Sequence, residues 1–171
     1  MSRRRVRDER GQATVEFAIV IPLVMLLILG IIEFSKAFNY WITLNHLSNE
    51  GARWAAVDKL PGKNPPYTCG DFKDYLVSQM ATGDLQNIIK GNSQADLDQN
   101  ITLAVAGSGP LGAPQIGDPV TVKIATIAPQ KYALASLGES FLPDFGRITL
   151  SGTSTMRLEQ VPSWTTNSSP C

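Results

Sequence analysis

Residues 17–32 read FAIVIPLVMLLILGII, an unbroken apolar run closed by Glu16 on one side and Glu33 on the other. A bilayer core takes roughly 20 helical residues at 1.5 Å each, so the strict run is short. Residues 12–14 and 34–41 are mostly apolar or small and lengthen it, and Phe38, Tyr40 and Trp41 suit a membrane–water interface. Beyond them the pattern turns periodic. Trp41, Leu44, Leu47 or Ser48, Ala52 and Ala55 recur at spacings of three and four, with Asn45, Asn49, Glu50 and Arg53 between them. One helix is therefore predicted over residues 12–57, about 69 Å long at the ideal rise. Its membrane span covers about residues 14–38, and an amphipathic stalk follows. Pro22 removes one hydrogen bond inside the span, whereas Asp58, Pro61, Gly62, Pro65 and Pro66 end the helix. Gly51 costs on the order of 1 kcal/mol in a helix interior. It marks close packing of the stalk against the sheet or another subunit, and an exposed Glu50–Arg53 pair can form one turn apart.

Downstream, residues 71–80 (DFKDYLVSQM) place Phe72, Tyr75, Leu76 and Met80 at helical spacing, with Asp71 at the start able to cap. A short second helix is predicted over residues 84–89, stopped by Gly91. Residues 101–105 alternate as a strand does. The breaker cluster GSGPLGAPQIGDP, residues 107–119, reads as a long turn or flexible loop. Val120, Val122 and Ile124 share one strand face. Ile148, Leu150, Met156 and Leu158 share another, interrupted at Gly152, and Thr149, Ser151, Thr153 and Thr155 point the other way. Three strands with one apolar face need a cover, which the stalk and short helices supply. The expected fold is α+β, a long N-terminal transmembrane and stalk helix packed on a small antiparallel β-sheet of about three strands. The domain runs over residues 58–160 and a flexible tail over 161–171. The connection over residues 129–146 is apolar, with Tyr132, Leu134, Leu137, Phe141 and Phe145, and either packs over the sheet's end or contacts another subunit.

Charge orients this plan. The 171 residues have zero formal net charge, but Arg3, Arg4, Arg5, Arg7 and Arg10 against Asp8 and Glu9 leave +3 on the first ten residues and −3 on the remainder. Arginines before an apolar span stay cytoplasmic, so the domain is expected on the far side of a single-pass anchor. The even balance of the body argues against a nucleic-acid partner, which needs a basic face. Cys69 and Cys171, the only cysteines, would then meet an oxidising compartment and could form one disulfide that pins the tail. Two separate thiols fit the sequence equally, since it does not supply their separation. A secretory signal cut at Ser35-Lys36-Ala37 is the competing reading of the N-terminus. Against it stand the length of the apolar run, Glu33 and Lys36 near the cut, and a helical pattern that continues past it.

Glu16 lies one step inside the apolar run, where a carboxylate is costly unless it reaches the headgroups or finds a cation. The residues around it, Arg10-Gly11-Gln12-Ala13-Thr14-Val15-Glu16-Phe17, resemble the processing site of type IV pilin-like precursors. The longer stretch RGQATVEFAIVIPLVMLLILGIIEFSKAF resembles the TadE-like pseudopilins of tight-adherence (Flp) pilus systems. Asn49-Glu50-Gly51-Ala52-Arg53-Trp54-Ala55-Ala56 and parts of residues 117–159 are similar to later stretches of that family, whereas residues 58–116 match no pattern in it. The resemblance implies a basic leader over residues 1–11, removed after Gly11 by a prepilin peptidase, with Gln12 as the new N-terminus. It implies assembly through Glu16 and Phe17, with other pilin-like subunits and the inner-membrane pilus assembly platform as partners, in a bacterial cell membrane and in the service of adhesion or secretion. A free α-amine at Gln12 is largely protonated near neutrality. Pairing it with Glu16 of an adjacent helix would compensate two charges that are expensive in lipid.

Catalytic chemistry is not expected. His46 stands alone without the further ligands a metal needs. GSGPLG lacks the lysine-serine ending and the context of a phosphate loop, and no nucleophile arrangement surrounds the single histidine. No cofactor is implied. Two function classes remain: a processed structural subunit of a pilus or related secretion apparatus, and a membrane-anchored extracytoplasmic binding domain outside any filament.

Overall fold

The computed structural model describes residues 10–80, 83–91, 93–126, 130–131, 147–164 and 171. The expected leader, apart from Arg10 and Gly11, lies outside them, as does most of the apolar connection 129–146. A helix of 47 residues, α1 (Arg10–Ala56), opens the chain and continues through Pro22 without interruption. It is long and apolar enough to cross a membrane. Residues 11–29 are exposed on every side, so in water this segment would hold a band of Val, Ile, Leu and Phe against the solvent at a large cost. From Leu44 onward only one face is hidden: Leu44, Leu47, Ser48, Gly51, Ala52 and Ala55.

That face covers a three-stranded antiparallel sheet of order β1-β2-β5, with β1 Ile101–Val105, β2 Pro119–Ala125 and β5 Ser151–Arg157. Leu103 pairs with Val122 and Val122 with Ser154. Inward positions alternate as a half-buried sheet requires: Ile101 and Leu103; Val120, Val122 and Ile124; Gly152 and Ser154. The opposite face exposes Ala104, Lys123, Thr153 and Thr155. Three short helices complete the core: α2 (Cys69–Ser78), α3 (Gly83–Lys90) and α4 (Gln94–Asn100). They contribute Phe72 and Leu76, Leu85 and Ile89, and Leu97. A two-residue ribbon, β3 (Gln130–Lys131) with β4 (Arg147–Ile148), branches off between β2 and β5.

Several expectations need correction. Ile148 belongs to this ribbon, and Gly152 does not interrupt the last strand but sits inside it. A Cβ at Gly152 would come within 2.4 Å of the Leu44 carbonyl oxygen, so the glycine is where strand and helix backbones touch. Gly51 is the counterpart on the helix, facing Leu76 and Val122 of its own domain. The residue at the N-cap of α2 is Thr68 rather than Asp71. Thr68 Oγ1 accepts from the Asp71 amide while the Asp71 carboxylate accepts from the Thr68 amide, a reciprocal capping box. The α4 helix, absent from the sequence reading, starts on Ser93, whose side chain accepts from the Asp96 amide. Within the expected loose tail Pro162 and Trp164 are buried, the latter 5.6 Å from the Phe72 ring.

Candidate functional site

The direction of β5 fixes the geography of the molecule. Gly152 abuts the backbone of Leu44 and Asn45, and the amides of Glu159 and Gln160 donate to the Ala56 carbonyl at 2.8 and 3.2 Å. The strand therefore runs alongside α1 in the same sense, away from the apolar segment. Because β2 is antiparallel to β5 and β1 to β2, the β1–β2 connection lies at the end farthest from that segment.

At the other end stand the residues singled out for processing and assembly. Gly11, Gln12, Glu16 and Phe17 occupy the first two turns of α1, all exposed. The Gln12 side-chain amide donates to Glu16 Oε1 at 3.1 Å, one helical turn away. Nothing lies within 4 Å of a Cβ built on Gly11. Farther along, Phe34, Phe38 and Trp41 form one aromatic stripe with ring centroids 6.4 and 5.8 Å apart, the first pair stacked and the second tilted. Exposed aromatics at the end of an apolar span are characteristic of a membrane interface.

Cys69 and Cys171 are joined as a disulfide, with Cα atoms 5.8 Å apart at a sequence separation of 102. The Cys171 amide donates to the Leu103 carbonyl at 2.8 Å, so the bond holds the last residue against β1, an edge strand. Covering an edge in this way hinders pairing with another chain.

The loop at the far tip is more ordered than its glycines and prolines suggest. One carboxylate oxygen of Asp118 accepts from the amides of Ser108 at 2.8 Å and Gln115 at 2.7 Å. Hydrogen bonding by the Ser108 side chain, then by these two amides, holds that carboxyl below its ordinary range. Arg157 Nη1 donates to the Gly117 carbonyl at 2.9 Å, tying the loop to β5. The clamp presents a 3-10 turn, Pro110–Gly112, with Leu111 at φ 60° and fully exposed. Ile116, five residues on, is also exposed. The sequence reading missed Asp118 and Leu111; the Asp-Pro step entering β2 was the available signal for an acceptor at the loop's end.

A shallow groove of about 350 Å³ lies between the outer face of α1 and β5, lined by His46, Asn49, Glu50, Arg53, Trp54 and Met156. Glu50 faces His46 at 3.9 Å and accepts from Trp54 Nε1 at 3.4 Å rather than pairing with Arg53, whose guanidinium stands 6.0 Å from the Trp54 ring. His46 has no ligand cluster around it, and among the described residues no group of His, Cys, Asp and Glu could hold a metal.

Residues 11–53 match the family model described as TadE-like protein. The match takes in 43 of the 171 residues and ends within α1, so the sheet and short helices stand on their own geometry. No curated protein and no solved structure matches the chain. A TadE-like segment coinciding with a helix of membrane-spanning length supports a membrane-associated role.

Proposed function

We infer that this chain is a minor pilin-like (pseudopilin) subunit of a tight-adherence/Flp-type pilus or related secretion apparatus. A prepilin peptidase cuts it after Gly11, a single apolar helix anchors it with its N-terminus in the cytoplasm, and it assists assembly. The observation that carries this reading is that the TadE-like match falls entirely within α1: residues 11–53 hold Gly11, Glu16, the apolar run and the aromatic stripe. Glu16 supplies the chemical reason for assembly. It sits one turn from Gln12 on the same helical face, so the charged amine created by a cut after Gly11 would fall near this carboxylate. Neighbouring helices that exchange these partners compensate two charges in lipid and fix their axial register. The domain is carried by the same helix, in the manner of a pilin head on its stalk.

The decisive experiment is N-terminal sequencing of the protein isolated from its native cells. A start at Gln12 is expected. A start at Met1 would leave an anchored extracytoplasmic binding domain, and a start at Phe38 would release the domain from the membrane; either contradicts the processed-subunit reading.

A further inference from the structure

The sheet ends on the side nearest the apolar segment, and the β3–β4 ribbon leaves from that end. Ala125 closes β2 opposite Ser151, which opens β5, and the Thr126 amide donates to the Leu150 carbonyl at 2.9 Å just outside the ladder. Gly152 stands level with Leu44, three residues past Trp41, so this end lies about 4.5 Å beyond the aromatic stripe at the helical rise. Arg147 is five residues back from Gly152, a length of chain that reaches up to about 17 Å. The ribbon is therefore within range of the headgroup layer, which flanks the hydrocarbon by about 5–7 Å on each side.

The shielding of α1 runs the same way. Glu33, Ala37 and Tyr40 are half-buried, while Phe34, Phe38 and Trp41 remain exposed. The half-buried positions continue, at spacings of three and four, the hidden stripe of Leu44, Leu47, Ser48 and Gly51. One side of the helix is thus covered by its own chain down to Glu33, eight residues and about 12 Å below Trp41. A domain that merely stood on its stalk would leave that stretch bare all round, as residues 11–29 are.

The ribbon's chemistry calls for an anion. Lys131 and Arg147 are register partners, and residues directly opposite in an antiparallel pair share a face. Two cations so placed repel one another, and a ribbon of two residues per strand has little to offset that. A phosphate between them turns repulsion into attraction, with the planar guanidinium suited to two of its oxygens. Between these cations the sequence carries Tyr132, Leu134, Leu137, Phe141 and Phe145 along with Glu139 and Asp144. Cations bracketing an apolar stretch suit a lipid surface, whereas a soluble acidic partner would use the charges and leave the apolar residues unmatched.

We propose that Lys131 and Arg147 bind phospholipid headgroup phosphate in the leaflet on the domain's side, seating the domain in the bilayer beside its anchor. The contact is independent of processing at Gly11 and of assembly. Because α1 is continuous with the domain, this second contact sets the tilt and rotation of the whole subunit, which the length of one apolar helix leaves open.

The test uses the full chain in nanodiscs with a spin-labelled amino acid at Gln130, read as broadening of the lipid phosphorus NMR signal. Discs of pure phosphatidylglycerol are compared with discs in which it is a minor component among uncharged, phosphate-free glycolipids. Recruitment of phosphate to the ribbon should raise the broadening per phosphorus on dilution by about fivefold or more, the selectivity of one cation at an anionic surface. Lys131→Glu combined with Arg147→Glu should abolish the rise with the Cys69–Cys171 bond intact, and a label at Leu111 on the far tip should show none. Equal broadening per phosphorus in the two discs overturns the proposal from the parent chain alone, whether or not the double variant folds. A rise that survives the double reversal also overturns it, since Lys36 or the anchor would then be the source.

Discussion

Gly152→Ala isolates the contact on which the anchor and the domain depend. The added Cβ would stand 2.4 Å from the Leu44 carbonyl oxygen, 2.5 Å from its carbon and 2.7 Å from the Asn45 nitrogen. All three are backbone atoms of a helix, so no side chain can rotate away. Restoring ordinary contact at 3.4 Å requires α1 and β5 to separate by about 1 Å, and a gap of that size forfeits a quarter to a half of each dispersion contact along the seam. Leu44, Leu47 and Ser48 are all closed off in that region. Overpacking of this kind costs about 1–3 kcal/mol and more where the backbone must yield. Replacing a flexible glycine returns about 0.4–1 kcal/mol from the unfolded state. The expected net loss is about 2 kcal/mol. Gly51→Ala is the control on the same helix. Its Cβ would meet the Leu76 methyls at 3.0 and 3.2 Å and Val122 Cγ1 at 3.3 Å, ends of side chains that can shift, while alanine gains about 1 kcal/mol of helix propensity. That variant should stay within about 1 kcal/mol of the parent. Denaturant unfolding of the full chain in detergent micelles, followed by tryptophan emission, measures both midpoints. A Gly152→Ala midpoint equal to the parent's, or one above that of Gly51→Ala, would refute the backbone-contact argument.

Three further outcomes follow from the same geometry. Reducing the Cys69–Cys171 bond opens a loop of 102 positions and should lower stability by about 4–5 kcal/mol on chain entropy, read from paired unfolding curves with and without reductant. The Asp71 carboxyl is lowered to about 2, chiefly by its hydrogen bond from Lys63 and then by those from Thr68. Because the folded value lies below the unfolded one, the stabilisation is present above pH 4 and lost as pH falls toward 2. Asp71→Asn should flatten that part of the stability–pH curve, although Asp118, shifted in the same direction, leaves a residual slope. Lys73 is buried and reaches Asp98 at 2.6 Å, so Asp98→Ala should cost about 2–3 kcal/mol by stranding the ammonium, whereas Lys73→Met should stay within about 1 kcal/mol of the parent by thermal or denaturant unfolding.

The long helix, the three sheet strands and the amphipathic α2 and α3 were legible because each repeats a hydrophobic period over several residues. The misses share a different cause. Gly152 reads as a breaker in one dimension because the helix it accommodates is more than a hundred positions away in sequence. Lys73 lies on the inward face of α2 and invites a solvent reading; only the approach of α4 supplies Asp98. The tip loop is rich in residues that break regular structure, and such composition says nothing of a carboxylate that gathers two amides from seven residues apart. Gly11, Gln12 and Phe17 were singled out by resemblance, and Glu16 first by its depth in the apolar run, none of them by period, since an apolar helix surrounded by lipid has no inward face to repeat.

The sharpest boundary in the molecule falls inside α1, between a segment exposed all round and one that joins the core through Leu44, Leu47, Ala52, Ala55 and Ala56. Nothing flexible separates them. The helix leaves the aromatic stripe at Trp41 and is in backbone contact with β5 by Leu44, and its last carbonyl, that of Ala56, accepts from two amides of the chain after β5. A translation of the anchor along its axis is therefore carried into the sheet at both ends of the seam, and through β5 and Arg157 to the loop that holds Leu111. A subunit drawn outward by its helix would advance its tip by the same distance. A glycine linker inserted after Trp41 should uncouple the two: the distance between spin labels at Phe17 and Lys123, narrow in the parent, should broaden, and an unchanged distribution would refute the rigid connection.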